Sequence, residues 1–361
     1  MKRMQKKEKK GKRSTKFSLV LKVLALLSAS FLICATAYGI YLTKKAEYAA
    51  KQSYEELEER QSSPKRETKA EAEIDNISIV FIGVDDSEAR AQGSDHSRSD
   101  ALLLMTLNRE EKTAKLVSIP RDSYVYIPKV GYQDKITHAH AFGGTVATIE
   151  TIEELFDIPV DYYVRMNFNA FIDVVDALGG IDLEVNIPYA FYEKDENDRY
   201  SIYLEPGYHH LDGREALALA RTRKHDTDIA RGERQQDIIK AIANKALSLS
   251  SITKYDEIIL AIGDNMKTNL TFDDMKSFLT YFSGGMPQID TLTLQGQGDM
   301  STGIYYYMLD RESLEETKQI LKSHLEIIPS NASSNISEIG SDDETQQVDV
   351  GSYSYSSNWN R

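Results

Sequence analysis

Among 361 residues there is one cysteine, Cys34, so no disulfide can form within the chain and the fold must rest on its own core. Several chemistry-bearing signatures are missing as well. The chain has no glycine-rich Walker loop, no G-x-G-x-x-G fingerprint, no H-E-x-x-H, no G-x-S-x-G elbow and no cysteine nucleophile, which argues against the usual covalent hydrolases. His138 and His140 stand two apart, as metal ligands on a strand do, but no third ligand lies near them and they read as ordinary loop histidines. Positive charge is scarce beyond the N-terminus: residues 1–22 hold ten Lys/Arg and one Glu, so the other 339 residues carry −22. An acidic body without a long basic stripe is a poor partner for nucleic acid. No repeat period is present.

Residues 23–42 are twenty consecutive uncharged residues, mostly Leu, Ala, Ile and Val. As a helix they would span about 30 Å, the thickness of a bilayer core. Nine Lys/Arg precede this run within the first sixteen residues. The positive-inside bias then predicts a single-pass anchor in the cytoplasmic membrane, with residues 1–22 a cytoplasmic basic tail and the rest extracellular. A cleavable signal peptide is the alternative, but its apolar region would be shorter and end in a small-x-small site. Cys34 lies inside the run behind Phe31-Leu32-Ile33 and reads as an apolar filler.

Residues 43–73, rich in Glu, Lys, Gln and Ala, read as a solvated, partly helical stalk. Residues 74–328 have the texture of a folded domain. Short apolar runs at 77–84, 101–107 and 115–119 suggest buried strands. Helix-spaced segments at 146–156 and 168–178 are each followed by a β-like run, at 160–164 and 181–185, which indicates an α/β layered domain. Further helices are predicted at 212–221, 229–249, 254–262, 272–282 and 311–326, with a strand at 289–294. The tyrosine-rich segment 188–210 could be a substrate-covering insertion, but packing on its own domain is the favoured reading. Residues 329–361, Ser/Asn/Asp-rich with one basic residue, form a predicted disordered acidic tail.

Two carboxylates and a set of guanidinium groups carry the functional reading. Asp85 follows one strand-like run and Asp100 precedes another, so both could lie at strand ends, where open α/β sheets place their sites. Paired Asp suits a hard cation such as Mg²⁺, although Asp at a strand end is often a turn residue. Arg121 directly follows a strand, and Arg221, Arg223, Arg231 and Arg234 fall within fourteen residues. On a helix, Asp228, Arg231 and Gln235 would share one face, opposite Ile238, Ile242 and Ala246. Arg221 and Arg223 project together only from extended chain, so the preceding helix is predicted to end near Arg221. Guanidinium groups beside two Asp describe a diphosphate site; a solvated helix face paired with Asp226, Asp228 and Glu233 is the plainer alternative.

With these residues stand Ile82-Gly83-Val84-Asp85, Arg98-Ser99-Asp100, Ser118-Ile119-Pro120-Arg121-Asp122, Lys135-Ile136-Thr137-His138-Ala139, Val175-Asp176-Ala177-Leu178-Gly179-Gly180, Leu211-Asp212-Gly213, Arg221-Thr222-Arg223, and Asp228 through Arg231 to Gln235-Gln236. In this order they closely resemble the LytR-CpsA-Psr family of membrane-anchored cell-wall glycopolymer transferases. The resemblance implies an α/β/α sandwich around a central β-sheet, here preceded by one N-terminal transmembrane helix. It implies transfer of an anionic glycopolymer, teichoic acid or capsule, from a polyprenyl diphosphate donor to the muramic acid 6-hydroxyl of peptidoglycan. Asp85 and Asp100 match the metal-site carboxylates, for Mg²⁺ or Mn²⁺. Arg121, Arg221, Arg223, Arg231 and Gln235 match diphosphate contacts, Arg98 and Lys135 match substrate-binding motif positions, and Asp100 and Arg121 are the expected catalytic pair. The stretch 90–97 looks longer than the family's usual connection. A non-catalytic envelope sensor or transcription attenuator, and a polyprenyl-diphosphate phosphatase, are the rival expectations.

Overall fold

The computed structural model describes residues 13–60, 62–84, 97–194, 201–222, 224, 227–247, 266–281 and 287–327. The apolar runs of the sequence become the central strands of a six-stranded mixed sheet. Strand β1 (Ile77–Val84) pairs antiparallel with β2 (Ser99–Asn108), which pairs antiparallel with β3 (Thr113–Ser118). On the other side of β1 lies β6 (Tyr162–Asn167), in parallel register, and beyond it the short β11 (Met266–Thr268). Strand β12 (Gln288–Thr293) closes the far edge in parallel with β3, and a separate antiparallel pair, β13 (Gly296–Asp299) with β14 (Tyr306–Leu309), follows it. Between β3 and β6 the chain makes a hairpin, β4 (Tyr124–Ile127) with β5 (Tyr132–Lys135), and a helix, α2 (Thr137–Phe156).

Period-two alternation divides the sheet residues between two layers. Val80, Ile82, Leu102, Leu104, Val117 and Tyr163 face a dry cluster completed by Ile149, Ile152 and Phe156 of α2 and by Leu321 of the C-terminal helix α7 (Arg311–His324). On the other face Ile77, Ile79, Leu107 and Val164 pack with Met275 and Phe278 of α6 (Phe272–Tyr281). A third cluster joins α3 (Phe168–Ala177), β7 (Ile181–Val185), β10 (Gly207–Leu211), α4 (Gly213–Arg221) and α5 (Asp228–Leu247). The architecture is an α/β sandwich with a mixed sheet at its centre, as expected for that part of the chain.

The anchor expectation is corrected. Residues 23–42 fall within one 41-residue helix, α1 (Arg13–Ser53), and no helix among the described residues is long and apolar enough to cross a membrane. The run is uncharged from Val23 to Leu42, and Lys44 and Lys45 follow it. The single-pass anchor expected from that run is therefore not supported by the described helices.

The segment read as a stalk packs on the domain over much of its length. Ala49, Ala50 and Ser53 are buried, and Tyr54 makes a parallel bridge to Thr268 of β11. The Arg60 guanidinium donates to both carboxylate oxygens of buried Glu153 at 2.8 and 2.7 Å. Arg66 donates to Asp161 at 2.6 and 3.0 Å.

Other differences are local. Helix α2 starts at Thr137, nine residues before the expected 146, because a kink at Gly143 and Gly144 interrupts the apolar spacing. His138 and His140 are therefore helical, not loop, residues. In the tyrosine-rich segment, Phe191 of β8 (Phe191–Lys194) turns inward, while Tyr189, Tyr192, Tyr203 and Tyr208 are exposed. Tyr192 and Tyr203 are cross-strand neighbours between β8 and β9 (Ser201–Leu204), on the outer side of that hairpin. The helix expected at 254–262 and the tail expected at 329–361 lie outside the described residues.

Candidate functional site

One end of the sheet is hollow. A cavity of about 330 Å³ lies between the C-terminal half of β1, the start of β2, the end of β6 and the helices α3, α4 and α5. Its floor is Phe81, Gly83, Ala101, Leu103 and Met166; Phe168, Phe171, Leu217, Ala220, Ile238 and Ile239 wall it. Gly83 and Ala101 are paired across the β1–β2 ladder, and a β-carbon on Gly83 would stand 3.1 Å from that of Ala101. Two of the smallest side chains therefore sit side by side where the floor recedes.

The helices are set by local chemistry. Asn167 caps α3, its Oδ1 accepting from the Ala170 amide at 2.8 Å. Asp212 and Glu215 form a reciprocal capping box that starts α4. Gly213 lies so close to α3 that an added β-carbon would stand 2.4 Å from the Ile172 carbonyl oxygen, so only glycine permits this α3–α4 approach. Helix α4 ends at Arg221, as expected, and Thr222 (φ −57°, ψ 140°) has left helical geometry.

The polar wall holds Asp100, Arg121, Arg221, Arg231 and Gln235. Five of the predicted site residues thus meet in one cavity, although they come from β2, the β3–β4 connection, α4 and α5. The Arg121 guanidinium donates to Asp100 and, through Nε, to Asp122 at 3.4 Å. Arg221 lies 4.5 Å from the centre of the Phe168 ring. Gln235 donates to the Ala220 carbonyl at 3.2 Å, fixing α5 against α4. Arg234, part of the same sequence cluster, does something else: it donates to the Leu219 and Thr222 carbonyls at 3.1 and 3.0 Å, closing the C-terminus of α4.

Ile238 lines the cavity with Arg231 and Gln235, which corrects the expectation that the apolar stripe of α5 lies opposite them. Positions four and seven apart share a helix side, so the polar and apolar residues form one continuous face. Lys135 does not line the cavity. Its Nζ donates to Asp122 at 2.9 Å and stands 5.6 Å from the Tyr306 ring centre. Arg98 is exposed and away from the cavity wall. Asp85 and Arg223 lie outside the described residues, as does the 90–96 part of the long connection. Val84, just before Asp85, pairs with Ser99, just before Asp100.

Sequence reasoning assigned no role to Asp122, the buried carboxylate that holds both Arg121 and Lys135, although it stands in the motif. The apolar walls also went unassigned, since nothing in the sequence separates Phe81 or Leu103 from core residues. His138 and His140 are bound elsewhere, to Asp134 and to the Ser97 carbonyl, each at 2.8 Å. Among the described residues no group of three or more His, Cys, Asp or Glu is arranged to hold a metal. Apolar walls leading to clustered guanidinium groups suit an amphiphile with an anionic head.

The LytR_cpsA_psr family model matches residues 40–323. The chain is 39% identical over 322 residues to the Bacillus subtilis polyisoprenyl-teichoic acid–peptidoglycan teichoic acid transferase TagT, covering 89% of this chain and 99% of that one. It is 38% identical over 322 residues to TagU of the same organism, covering 88% and 99%. Among solved structures, TagT bound to LIIa-WTA superimposes with a TM-score of 0.62 at 38% identity, over 75% of this chain and 99% of that one. TagT with bound octaprenyl pyrophosphate lipid gives 0.58 at 35% identity, over 75% and 99%.

Proposed function

The chain belongs to the LytR-CpsA-Psr family, and from that premise we propose that it transfers an anionic glycopolymer of the teichoic acid class from a polyprenyl diphosphate donor to peptidoglycan. The observation that carries the proposal is the cavity itself. Its apolar floor accepts a prenyl chain, and Arg121, Arg221 and Arg231 stand together at its polar wall to meet the diphosphate.

In the reaction the muramic acid 6-hydroxyl attacks the phosphorus that bears the sugar. A new O–P bond forms, the P–O bond to the lipid-side phosphate breaks, and polyprenyl monophosphate leaves. The three guanidinium groups neutralise charge on the phosphoryl oxygens and on the leaving group. Asp100, half-buried at the cavity wall, orients the hydroxyl and receives its proton. Asp122 keeps the Arg121 side chain aimed at the cavity.

Asp100 also offers the carboxylate oxygens that Mg²⁺ or Mn²⁺ takes, and such a cation keeps waters and substrate phosphates for the rest of its shell. Asp100 with Asp85 would hold it, and when bound it would supply further charge neutralisation on the diphosphate.

The test incubates the full chain with lipid-linked donor and purified peptidoglycan and analyses the glycan for phosphodiester-attached polymer. Attachment is expected, together with its loss in Arg121→Ala. Polymer phosphate released without attachment would identify a diphosphatase instead, and no product from any wall-polymer donor would leave a non-catalytic sensor.

A further inference from the structure

Beside the cavity stands a second, outward surface with a different composition. In the antiparallel hairpin of β4 and β5, Tyr124 is directly opposite Lys135 and Tyr126 directly opposite Gln133. Residues so paired project from the same side of the ladder, and alternation puts both pairs on one face. The inner face carries buried Val125 and Ile127; on the outer face Tyr126 and Gln133 are exposed.

Tyr306 of β14 (Tyr306–Leu309) extends this face. Its ring meets that of Tyr124 edge-on at 4.8 Å, and the Lys135 ammonium stands over it. The next residue, Tyr307, donates its amide to the Asp122 carbonyl at 2.9 Å, which fastens the β14 strand to the segment that carries Arg121. The face therefore starts one side chain from the candidate site: Asp122 takes Lys135 at 2.9 Å and Arg121 at 3.4 Å.

We propose that Tyr124, Tyr126, Gln133 and Tyr306 form a saccharide platform that seats the glycan strand of the peptidoglycan acceptor next to the phosphoryl-transfer site. Tyrosine rings offer flat apolar faces to the C–H faces of pyranose rings, while phenolic hydroxyls and the Gln133 amide meet sugar hydroxyls and acetamido groups. The Lys135 charge is neutralised by Asp122, and the body of the protein is strongly acidic, so a phosphate-rich polymer has little to hold it here. Position gives the same assignment: the incoming hydroxyl must reach the phosphorus held by Arg121, and this face adjoins that arginine.

The inference rests on the transferase reading, and its test separates the two. Peptidoglycan glycan strands freed of stem peptides by amidase are titrated into the full chain and into its Tyr126→Ala, Tyr126→Phe and Gln133→Ala variants by calorimetry. Octaprenyl diphosphate is titrated into the same set. Tyr126 and Gln133 are exposed, so these variants leave the core untouched. Glycan affinity is expected to fall roughly three- to tenfold in Tyr126→Ala and less in Gln133→Ala, to persist in Tyr126→Phe, and octaprenyl diphosphate affinity to stay constant.

The expected kinetic counterpart is a matching rise in KM for the acceptor with kcat little changed. Glycan binding unaltered in Tyr126→Ala, absent from the wild type, or replaced by preferential binding of poly(glycerol phosphate) at this face would overturn the platform. Failure of the wild type to bind octaprenyl diphosphate would instead strike the transferase reading, whatever the glycan titration gives.

Discussion

The two faces of the central sheet are made from the same strands and serve opposite ends. On one, Val80, Leu102, Leu104 and Val117 interlock with α2 and α7 and leave no residue more than 2% exposed among them. On the other, Gly83, Ala101 and Leu103, offset by one position along the same strands, look into a cavity. The far half of that second face is filled by α6. Openness is thus a local property, created where two small residues meet across a ladder and where α3, α4 and α5 cover the sheet instead of α6. Alternation lets one strand support a packed layer and bear a binding layer at once.

Substitutions can separate the two layers. The largest effect belongs to the hollow side: Arg121→Ala should cut transfer about a thousandfold, as loss of a positioned guanidinium does in phosphoryl transfer, with the thermal midpoint nearly unmoved. Single-turnover donor consumption and a melting curve on the same preparation read both quantities. On the packed side Leu104→Ala should cost about 3 kcal/mol in urea unfolding while the folded fraction still transfers normally. A large activity loss per folded molecule would show that the faces are coupled.

Ala101→Leu should reverse that pattern by filling the cavity floor. Donor affinity is expected to fall about tenfold with little change in the urea midpoint. A variant that unfolds instead would mean that the recess is structural rather than a binding space.

The smallest effect is a pH dependence. His324, at the end of α7, is tied through Nδ1 to Thr106 at 2.7 Å and through Nε2 to Thr113 at 2.9 Å. Burial, then the Lys115 ammonium, pushes its imidazole down to about 4. The folded state holds His324 neutral while the unfolded chain protonates it near pH 6.5, so this stabilisation is complete above that pH and is lost as pH falls from 6.5 towards 4. Between pH 7 and pH 5 the loss should be on the order of 1 kcal/mol, after allowance for solvent screening. Urea titrations at both pH values should show it in the wild type, and His324→Gln should flatten the difference.

Much of this arrangement was readable before the coordinates. Strands β1, β2 and β3 announced themselves as apolar runs, and the end of α4 near Arg221 was expected. Arg231 and Gln235 could be placed on one helix side by counting. What could not be read has physical causes. A cavity wall and a core are built from the same residues, so Phe81 and Ile79 look alike until the opposing helix is known. The apolar stripe of α5 was put opposite Arg231 and Gln235 although Ile238, seven residues after the one and three after the other, lies on their side of the helix. Gly143 and Gly144 concealed the first turns of α2, and with them the helical setting of His138 and His140. Asp122 was passed over because a buried carboxylate acts through its neighbours, which spacing does not reveal.

The claim on which the rest depends is that Arg121, Arg221 and Arg231 jointly hold a lipid diphosphate whose chain enters the cavity over Gly83 and Ala101. A crystal structure of the chain soaked with octaprenyl diphosphate tests it most directly. The account expects the two phosphates within hydrogen-bonding distance of these guanidinium groups and the prenyl chain against Phe81, Phe171 and Ile239. Lipid density on another surface, with the cavity unchanged, would contradict it.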